Sequence, residues 1–309
     1  MSHNLPTVSV IIPARDSAAV LPRALDSIEQ QTYPNIIEVV VAAVDDASAG
    51  AASGATVVRN PRGTTPAGLN LAIAASKGEV IVRCDAQSVL PPHYVARAVE
   101  TLTRTGAANV GGMQVPVGVT PWEKAIATAM SSPFGAGDAR YRIGGEAGPV
   151  ETVYLGVFRR EALERIGRFD EGFARNQDYE LNHRLIEAGE LVWFDPGLEV
   201  LYRPRGSLGA LARQYHDYGR AKRQFARRHR KGLRWRQLAA PALTVAILVS
   251  LVVSIWFPWL LLIPLGYAVG LMVVGITAGS GVFRVASALA TMHLSWGWGF
   301  ITSGRKQSR

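Results

Sequence analysis

The chain has 309 residues, 48% of them hydrophobic, and a net charge of +9 at pH 7. One cysteine excludes a disulfide framework within the chain and suits a reducing compartment. The length allows one large domain or two small ones, and the basicity is local: Tyr202 to Arg236 holds 12 Lys or Arg against one acid, Asp217, leaving 21 bases and 23 acids elsewhere.

From the N-terminus, "MSHNLPT" has no basic start and no apolar core segment, so no signal peptide is expected. "TVSVII", "IIEVVVAA", "GEVIVRCD" and "AANVGGMQV" are short, rich in Val and Ile, and nearly continuous in apolar character. That pattern predicts strands buried on both faces of a parallel sheet. Between them, "SAAVLPRALDSIEQQ", "TPAGLNLAIAASK" and "PPHYVARAVETLTR" have apolar spacing near 3.6 and predict helices. The alternation predicts an α/β fold, in which ligands sit at the carboxyl ends of the strands. The Gly-rich segment at 134–148 reads as a mobile loop, and "NQDYELNHRL" opens a further helix.

Gln237 to Phe283 is 47 residues without a charge or a histidine. As helix this is about 70 Å, twice a hydrocarbon core. Pro258, between Trp256 and Trp259, divides it into expected spans of about 238–257 and 260–279. The basic stretch before it reads as juxtamembrane charge that keeps the N-terminal part in the cytoplasm, and its place beside the spans argues against nucleic acid as partner. Arg284 and His293 interrupt the last segment, which reads as an interfacial helix or a third span, with Arg305, Lys306 and Arg309 keeping its end inside.

Polar groups mark the strand ends: Pro13 to Asp16 after the first strand, Asp45 and Asp46 after the second, Asp85 after "GEVIVR". Asp178 lies in the later helix. Each alone is a common cap or turn former; a parallel sheet would bring them into one crevice. Taken together, "VSVIIPARDSAAVLPRALDSI", "VDDAS", "GLNLAIAASKGEVIVRCDAQ", "VGG" and "NQDYELNHRLIEAG" resemble family 2 glycosyltransferases of the GT-A fold. Within that family the likeness is to succinoglycan-type membrane glucosyltransferases, which extend a lipid-linked saccharide. It covers roughly residues 7–236, and the hydrophobic C-terminus fits it.

The resemblance implies a Rossmann-like nucleotide-sugar-binding domain over 1–205, a basic juxtamembrane helix over 206–236 and a membrane region over 237–309 with a transmembrane helical hairpin. It assigns Pro13, Arg15 and Asp46 to the nucleotide base, with Asp45 either beside them or bonded within its turn. Asn70 falls where the family has Asn after an Ala-Arg pair; Gly68 and Leu69 replace that pair, so Arg59, Arg62 and Arg83 are the candidates for the diphosphate. Asp178 matches the base that deprotonates an acceptor hydroxyl in an inverting displacement; capping its helix is the competing role. Where the family carries Asp-x-Asp for a divalent cation, this chain has Asp85 and Gln87, an acid and a neutral oxygen donor, which implies Mg²⁺ or Mn²⁺ held together with the nucleotide. Gln214 begins "QYHDYG" where processive synthases have Gln-x-x-Arg-Trp, so addition of one sugar is expected.

The expected protein is a bacterial inner-membrane hexosyltransferase with a cytoplasmic catalytic domain. It would take a nucleotide sugar, a UDP-hexose first, and act on a polyprenyl-linked acceptor in cell-envelope or exopolysaccharide synthesis. Transfer to polyprenyl phosphate, which needs no base, and a non-catalytic membrane scaffold with a degenerate GT-A fold are the rival readings.

Overall fold

The computed structural model describes residues 5–229, 235–279 and 281–304. In chain order the first elements are β1 (Val8–Ala14), α1 (Leu21–Glu29), β2 (Ile36–Ala43), α2 (Asp46–Gly50), β3 (Thr56–Arg59), α3 (Thr65–Ala75), β4 (Val80–Arg83), α4 (Tyr94–Thr105) and β5 (Asn109–Pro116). Then come α5 (Pro121–Ser131), α6 (Pro133–Ala136), α7 (Arg140–Ile143), β6 (Gly148–Pro149), β7 (Tyr154–Arg159), α8 (Arg160–Arg165), α9 (Gln177–Glu187) and β8 (Val192–Tyr202). The remainder is helical: α10 (Leu208–Arg228), α11 (Ala239–Val253), α12 (Leu262–Thr277) and α13 (Val282–Thr302). Two compact units result, Met1–Val115 with Ala139–Tyr202, and Pro116–Asp138 with Arg203–Arg309.

The first unit carries a mixed sheet of order β3-β2-β1-β4-β7-β5-β8-β6. Its β3, β2, β1 and β4 run parallel, and both neighbours pair along β1. Alternation along β1 splits the core: Val8, Val10 and Ile12 face one side with α1 and α4, and Ile11 faces the other with Leu69, Ile73, Leu181 and Leu185 from α3 and α9. The expectation of an all-parallel sheet fails beyond β4. The β7 strand enters antiparallel between β4 and β5, and β5 pairs with it antiparallel. A buried apolar run reads the same in either direction, so "AANVGGMQV" carried no sign of this. The segment at 134–148 holds α6, α7 and the start of β6.

Asp195, at the Asp-Pro-Gly segment of β8, is a buried acid with several donors. It accepts from Arg97 Nε at 2.9 Å, Arg97 Nη2 at 2.7 Å, Thr101 Oγ1 at 3.0 Å and the Gly197 amide at 2.9 Å. Burial acts to raise its pKa, but the Arg97 pair and the two further donors outweigh it and hold the group below its ordinary value.

The second unit is helical. Segment 116–138 belongs to it rather than to the sheet domain, so the expected boundary near 205 misses one excursion of the chain. The α5 helix starts with a capping box between Thr120 and Glu123, and buried Glu123 also accepts from Arg203 Nε at 2.9 Å. Along α10 and α13 the backbones approach so closely that a Cβ on Gly219 would lie 2.0 Å from the Trp296 carbonyl oxygen, and one on Gly299 2.1 Å from that of His216. Only glycine permits those crossings. Pro258–Thr277 is the one described helix long and apolar enough to cross a membrane, with mean hydropathy 2.2 and little of its apolar stretch buried. The other expected span, 238–257, contains the 15-residue α11, followed by turns into Pro258. Proline disfavours helix at the residue before it, so the apolar run outlasts the helix. The basic stretch forms α10; its residues 230–234, like Arg305, Lys306 and Arg309, lie outside the described residues.

Removing the Asp195 carboxylate tests the anchor between β8 and α4. Asp195→Ala is expected to cost about 2–3 kcal/mol at neutral pH, because Thr101 and the Gly197 amide lose their acceptor. The native pKa lies below the ordinary 3.8, so the wild-type advantage is full above that value and disappears as pH falls through the lowered native one. Urea unfolding of both proteins across that range measures it.

Candidate active site

At the carboxyl end of the parallel block, β1 and β2 end in register, Ala14 opposite Ala43. Pro13, half-buried, is the next-to-last residue of β1, and Arg15 follows the strand, exposed. The Arg15 guanidinium donates to the Gly63 carbonyl at 3.4 Å, spanning the turns after β1 and β3. Asp45 caps α2. Its oxygens accept from the Asp16 amide at 2.8 Å, the Ser48 amide at 2.8 Å and the Ser48 hydroxyl at 2.9 Å. These donors, the Asp16 amide first, hold its pKa below the ordinary value. Of the two roles open to Asp45, the turn is the one its contacts display. Asp46 is the exposed acid of the pair and meets Arg59 Nη2 at 2.5 Å.

The centre of the site is Arg83, the last residue of β4. Its side chain is 6% exposed. Nε and Nη2 donate to Asp85 Oδ1 at 3.1 and 2.9 Å, and Nη1 donates to Asp178 Oδ1. Asp85 stands two residues beyond the strand, in a turn closed by the Ser88 amide donating to the Asp85 carbonyl at 2.8 Å. Gln87 is exposed in that turn. Asp178 is the second residue of α9, whose N-cap is Asn176 in the left-handed region, φ 58°. Asp178 therefore does not cap its helix; it sits in the first turn, where the helix dipole favours a negative charge.

Electrostatics at the triad oppose one another. Burial would lower the Arg83 pKa, but the charges of Asp178 and Asp85 raise it above the ordinary arginine value. Burial raises the Asp178 pKa from its ordinary value, with Arg83 partly offsetting it. Cys84, between Arg83 and Asp85, is buried and its thiol is pushed far up by desolvation, which makes it inert. The α9 helix is tied to its surroundings: Asn109 Nδ2 donates to Asn182 Oδ1 at 2.6 Å, and Arg184 donates to the Ile166 and Arg168 carbonyls at 2.5 and 2.6 Å.

The remaining candidates separate. Asn70 is occupied at both ends: it donates to the Phe169 carbonyl at 2.9 Å and to Glu171 Oε1 at 3.1 Å, and accepts from the Phe169 amide at 3.0 Å. That is a tie between α3 and the 169–171 loop. Arg62 is ion-paired with Glu171. Each candidate arginine for a diphosphate thus has an acidic partner; those of Arg59 and Arg62 are exposed on the arginine side, and only Arg83 is buried. Sequence reasoning missed Glu171 and the Arg83 bridge. The i, i+2 spacing of Arg83 and Asp85 was the available signal for half of the bridge. For a hard divalent cation, Asp85 and Gln87 supply a carboxylate and an amide oxygen within three residues, a donor set that fits but is sparse in charge.

A model of glycosyl transferase family 2 matches residues 9–167. The succinoglycan biosynthesis protein ExoA of Rhizobium meliloti is 30% identical over 249 residues, covering 78% of this chain and 75% of that protein. Among solved structures, the mannosyltransferase PcManGT from Pyrobaculum calidifontis, in complex with GDP-Man and Mn²⁺, superposes with a TM-score of 0.63 at 21% identity over 96% of this chain and 87% of its own. TarS 1–349 from S. aureus in complex with UDP gives 0.51 at 15% identity over 71% and 64%.

The triad is testable without an assay. Arg83→Met leaves two carboxylates facing one another and is expected to cost about 2–4 kcal/mol at neutral pH. Asp178 then loses the partner that lowers its pKa, so its titration midpoint, followed by carboxyl-carbon NMR, moves up from the wild-type position. A raised native carboxyl pKa destabilises above that pKa and not below the unfolded value, so the deficit shrinks on acidification.

Proposed function

Because the chain belongs to glycosyl transferase family 2, we propose that this glycosyltransferase moves one hexose, with inversion, from a UDP-sugar to a polyprenyl-linked saccharide in the synthesis of a cell-envelope or exported polysaccharide. The observation that carries the reading is the meeting of Asp85 and Asp178 on the Arg83 guanidinium. It joins the acid of the nucleotide-sugar side to the one residue whose placement suits a base. The name of the ExoA relative supports a polysaccharide product.

In this mechanism Arg15 and Asp46 hold the nucleotide base at the ends of β1 and β2. Asp178 Oδ1 is taken by Arg83, and Oδ2 faces the acceptor hydroxyl and receives its proton. The ion pair maintains the carboxylate, while burial raises its basicity. Asp85 and Gln87 would hold Mg²⁺ or Mn²⁺, which supplies charge neutralisation to the leaving diphosphate. Arg59 and Arg62, exposed and only weakly committed to their acids, can turn to the same phosphates. Pro258–Thr277 and the stretch 238–257 that contains α11 form the proposed two-span anchor in the inner membrane, with the catalytic domain cytoplasmic.

Membranes bearing the protein, given a panel of radiolabelled UDP- and GDP-sugars, are expected to label the lipid extract from a UDP-hexose. Label from none of them, or only in water-soluble product, overturns the reading. Asp178→Asn is expected to lower kcat about 10²–10⁴-fold with donor affinity within a few-fold of wild type; equal activity removes the base from Asp178. For the cation, Gln87→Asp is expected to lower and Gln87→Ala to raise the Mg²⁺ concentration giving half-maximal activity, each about 3–10-fold, since a carboxylate adds a charge that an amide lacks. Full activity in chelator excludes the metal role of Asp85 and Gln87.

A further inference from the structure

Helix α10 of the second unit has a charged face to which the reaction as described gives no task. Leu211, Tyr215, Gly219, Lys222 and Phe225 are buried on one side of the helix. On the other side Arg213, Arg220 and Arg227 recur every seven residues, all exposed, as a stripe about 20 Å long. Asp217 is the one acid of this helix, and it stands 4.0 Å from His216 Nδ1. Among the described residues neither Arg213 nor Arg220 is ion-paired, in contrast to Arg203 just before the helix, which meets Glu123 at 2.9 Å.

Helix α13 runs along α10 in parallel. Gly219 meets the Trp296 carbonyl, Arg223 donates to that of Phe300, and Arg227 Nη1 donates to that of Gly304 at 3.4 Å, so the partners advance together by four. Between the two helices, with Arg213 of the stripe on its rim, lies a groove of about 490 Å³. Ala212, Leu294 and Trp298 supply its apolar wall, and His216, Asp217 and Ser295 are its other polar residues. Trp298 is 48% exposed. The same α13 packs against α11 and α12, on which Leu248, Val252, Leu262 and Val269 are exposed. A second groove, between α10, α11 and α13, contains a single charged residue, Arg223, and that guanidinium is already spent on the Phe300 and Ile301 carbonyls.

The first groove therefore sets an arginine without an acid, an exposed indole and an apolar wall side by side. A planar guanidinium suits phosphate oxygens. An exposed Trp beside apolar helices belongs at the boundary between headgroup and hydrocarbon. The apolar wall offers nothing to a free anion, whereas an acyl chain would cover it. Along the stripe the arginines outnumber Asp217, which favours a headgroup of net negative charge over a zwitterionic one. Resting on the membrane-anchor reading, we propose that the α10–α13 groove binds an anionic phospholipid, with its phosphate on Arg213, further attraction from Arg220, and an acyl chain against Leu294 and Trp298. Anionic lipid, and not the apolar spans alone, then holds the helical unit at the membrane surface.

The test is native mass spectrometry of full-length protein in an uncharged detergent, titrated with dioleoylphosphatidylglycerol or dioleoylphosphatidylcholine. Wild type is expected to bind the first about 10–30-fold more tightly, the worth of two arginines near an anionic surface. The double variant Arg213→Gln/Arg220→Gln, at two exposed positions where folding is little at risk, should bring the two lipids to within about threefold of each other. A control, Arg23→Gln/Arg104→Gln, removes the same charge from exposed positions of the sheet unit and should leave the preference in place. Trp298→Ala should weaken both lipids alike, about fivefold, through lost apolar contact. A preference unchanged in the double variant, or lost equally in the control, overturns the site. No loss in Trp298→Ala overturns the groove and leaves a surface stripe. Inorganic phosphate that displaces the lipid at equal concentration makes this a free-anion site, and a polyprenyl diphosphate that does so gives the groove to the acceptor; either overturns the phospholipid. Wild type that needs detergent but does not distinguish the two lipids overturns the groove while the anchor reading stands. Wild type that stays in solution without detergent overturns the anchor and the groove with it.

Discussion

A buried guanidinium has to be answered by negative charge, and the architecture of the first unit follows from how Arg83 is answered. At 6% exposure it cannot rely on water. Asp85 reaches it from the turn after the same strand, and Asp178 from the opening of a helix 95 residues further on. The two acids are pulled toward one point, and each would repel the other without the cation between them. The left-handed Asn176 sets where α9 begins, and with that where Asp178 stands. The bonds from Asn109 and Arg184 keep the helix from moving away. In the proposed reaction, a carboxylate held at one oxygen and open at the other would be oriented before any substrate arrives, which is how a positioned base gains over one in solution.

Charges around this centre are sorted by burial. Asp45 spends its oxygens on the backbone of two turns, so its charge is structural. Arg59 with Asp46, and Arg62 with Glu171, are pairs exposed on their arginine side. Such pairs contribute little to stability and exchange readily for a better anion. In the proposed reaction that anion is the diphosphate. The absence of an arginine at Leu69 is then met by mobile side chains at the rim, while the buried arginine serves the acids.

In the second unit the close α10–α13 contact imposes a comparable restriction. Two glycines, Gly219 and Gly299, sit where each helix meets a carbonyl of the other. Arg223 donates to the Phe300 and Ile301 carbonyls at 2.8 and 2.6 Å, giving the end of α13 the cationic partner that helix ends favour. Not all of the positive charge on α10 therefore faces outward. Part of it is consumed in holding α13, a use that composition alone could not separate from membrane-surface charge.

By itself the sequence determined the α/β class, the helices α1, α3, α4 and α9, the apolar C-terminal helices and the strand-end acids, because hydrophobic period and turn chemistry are local properties. It also carried the family motifs, and so the family. Tertiary structure alone decided the rest. The direction of β7 and β5 depends on where the chain re-enters the sheet, which an apolar run does not encode. Segment 116–138 joined the helical unit because α5 found its partner in α13. Asn70 became a structural tie and Asp45 a turn former because their partners are set by loop geometry. Arg83 read from "IVRCD" as a candidate phosphate ligand; its bond to Asp178 spans 95 residues and exists only once β4 and α9 have packed.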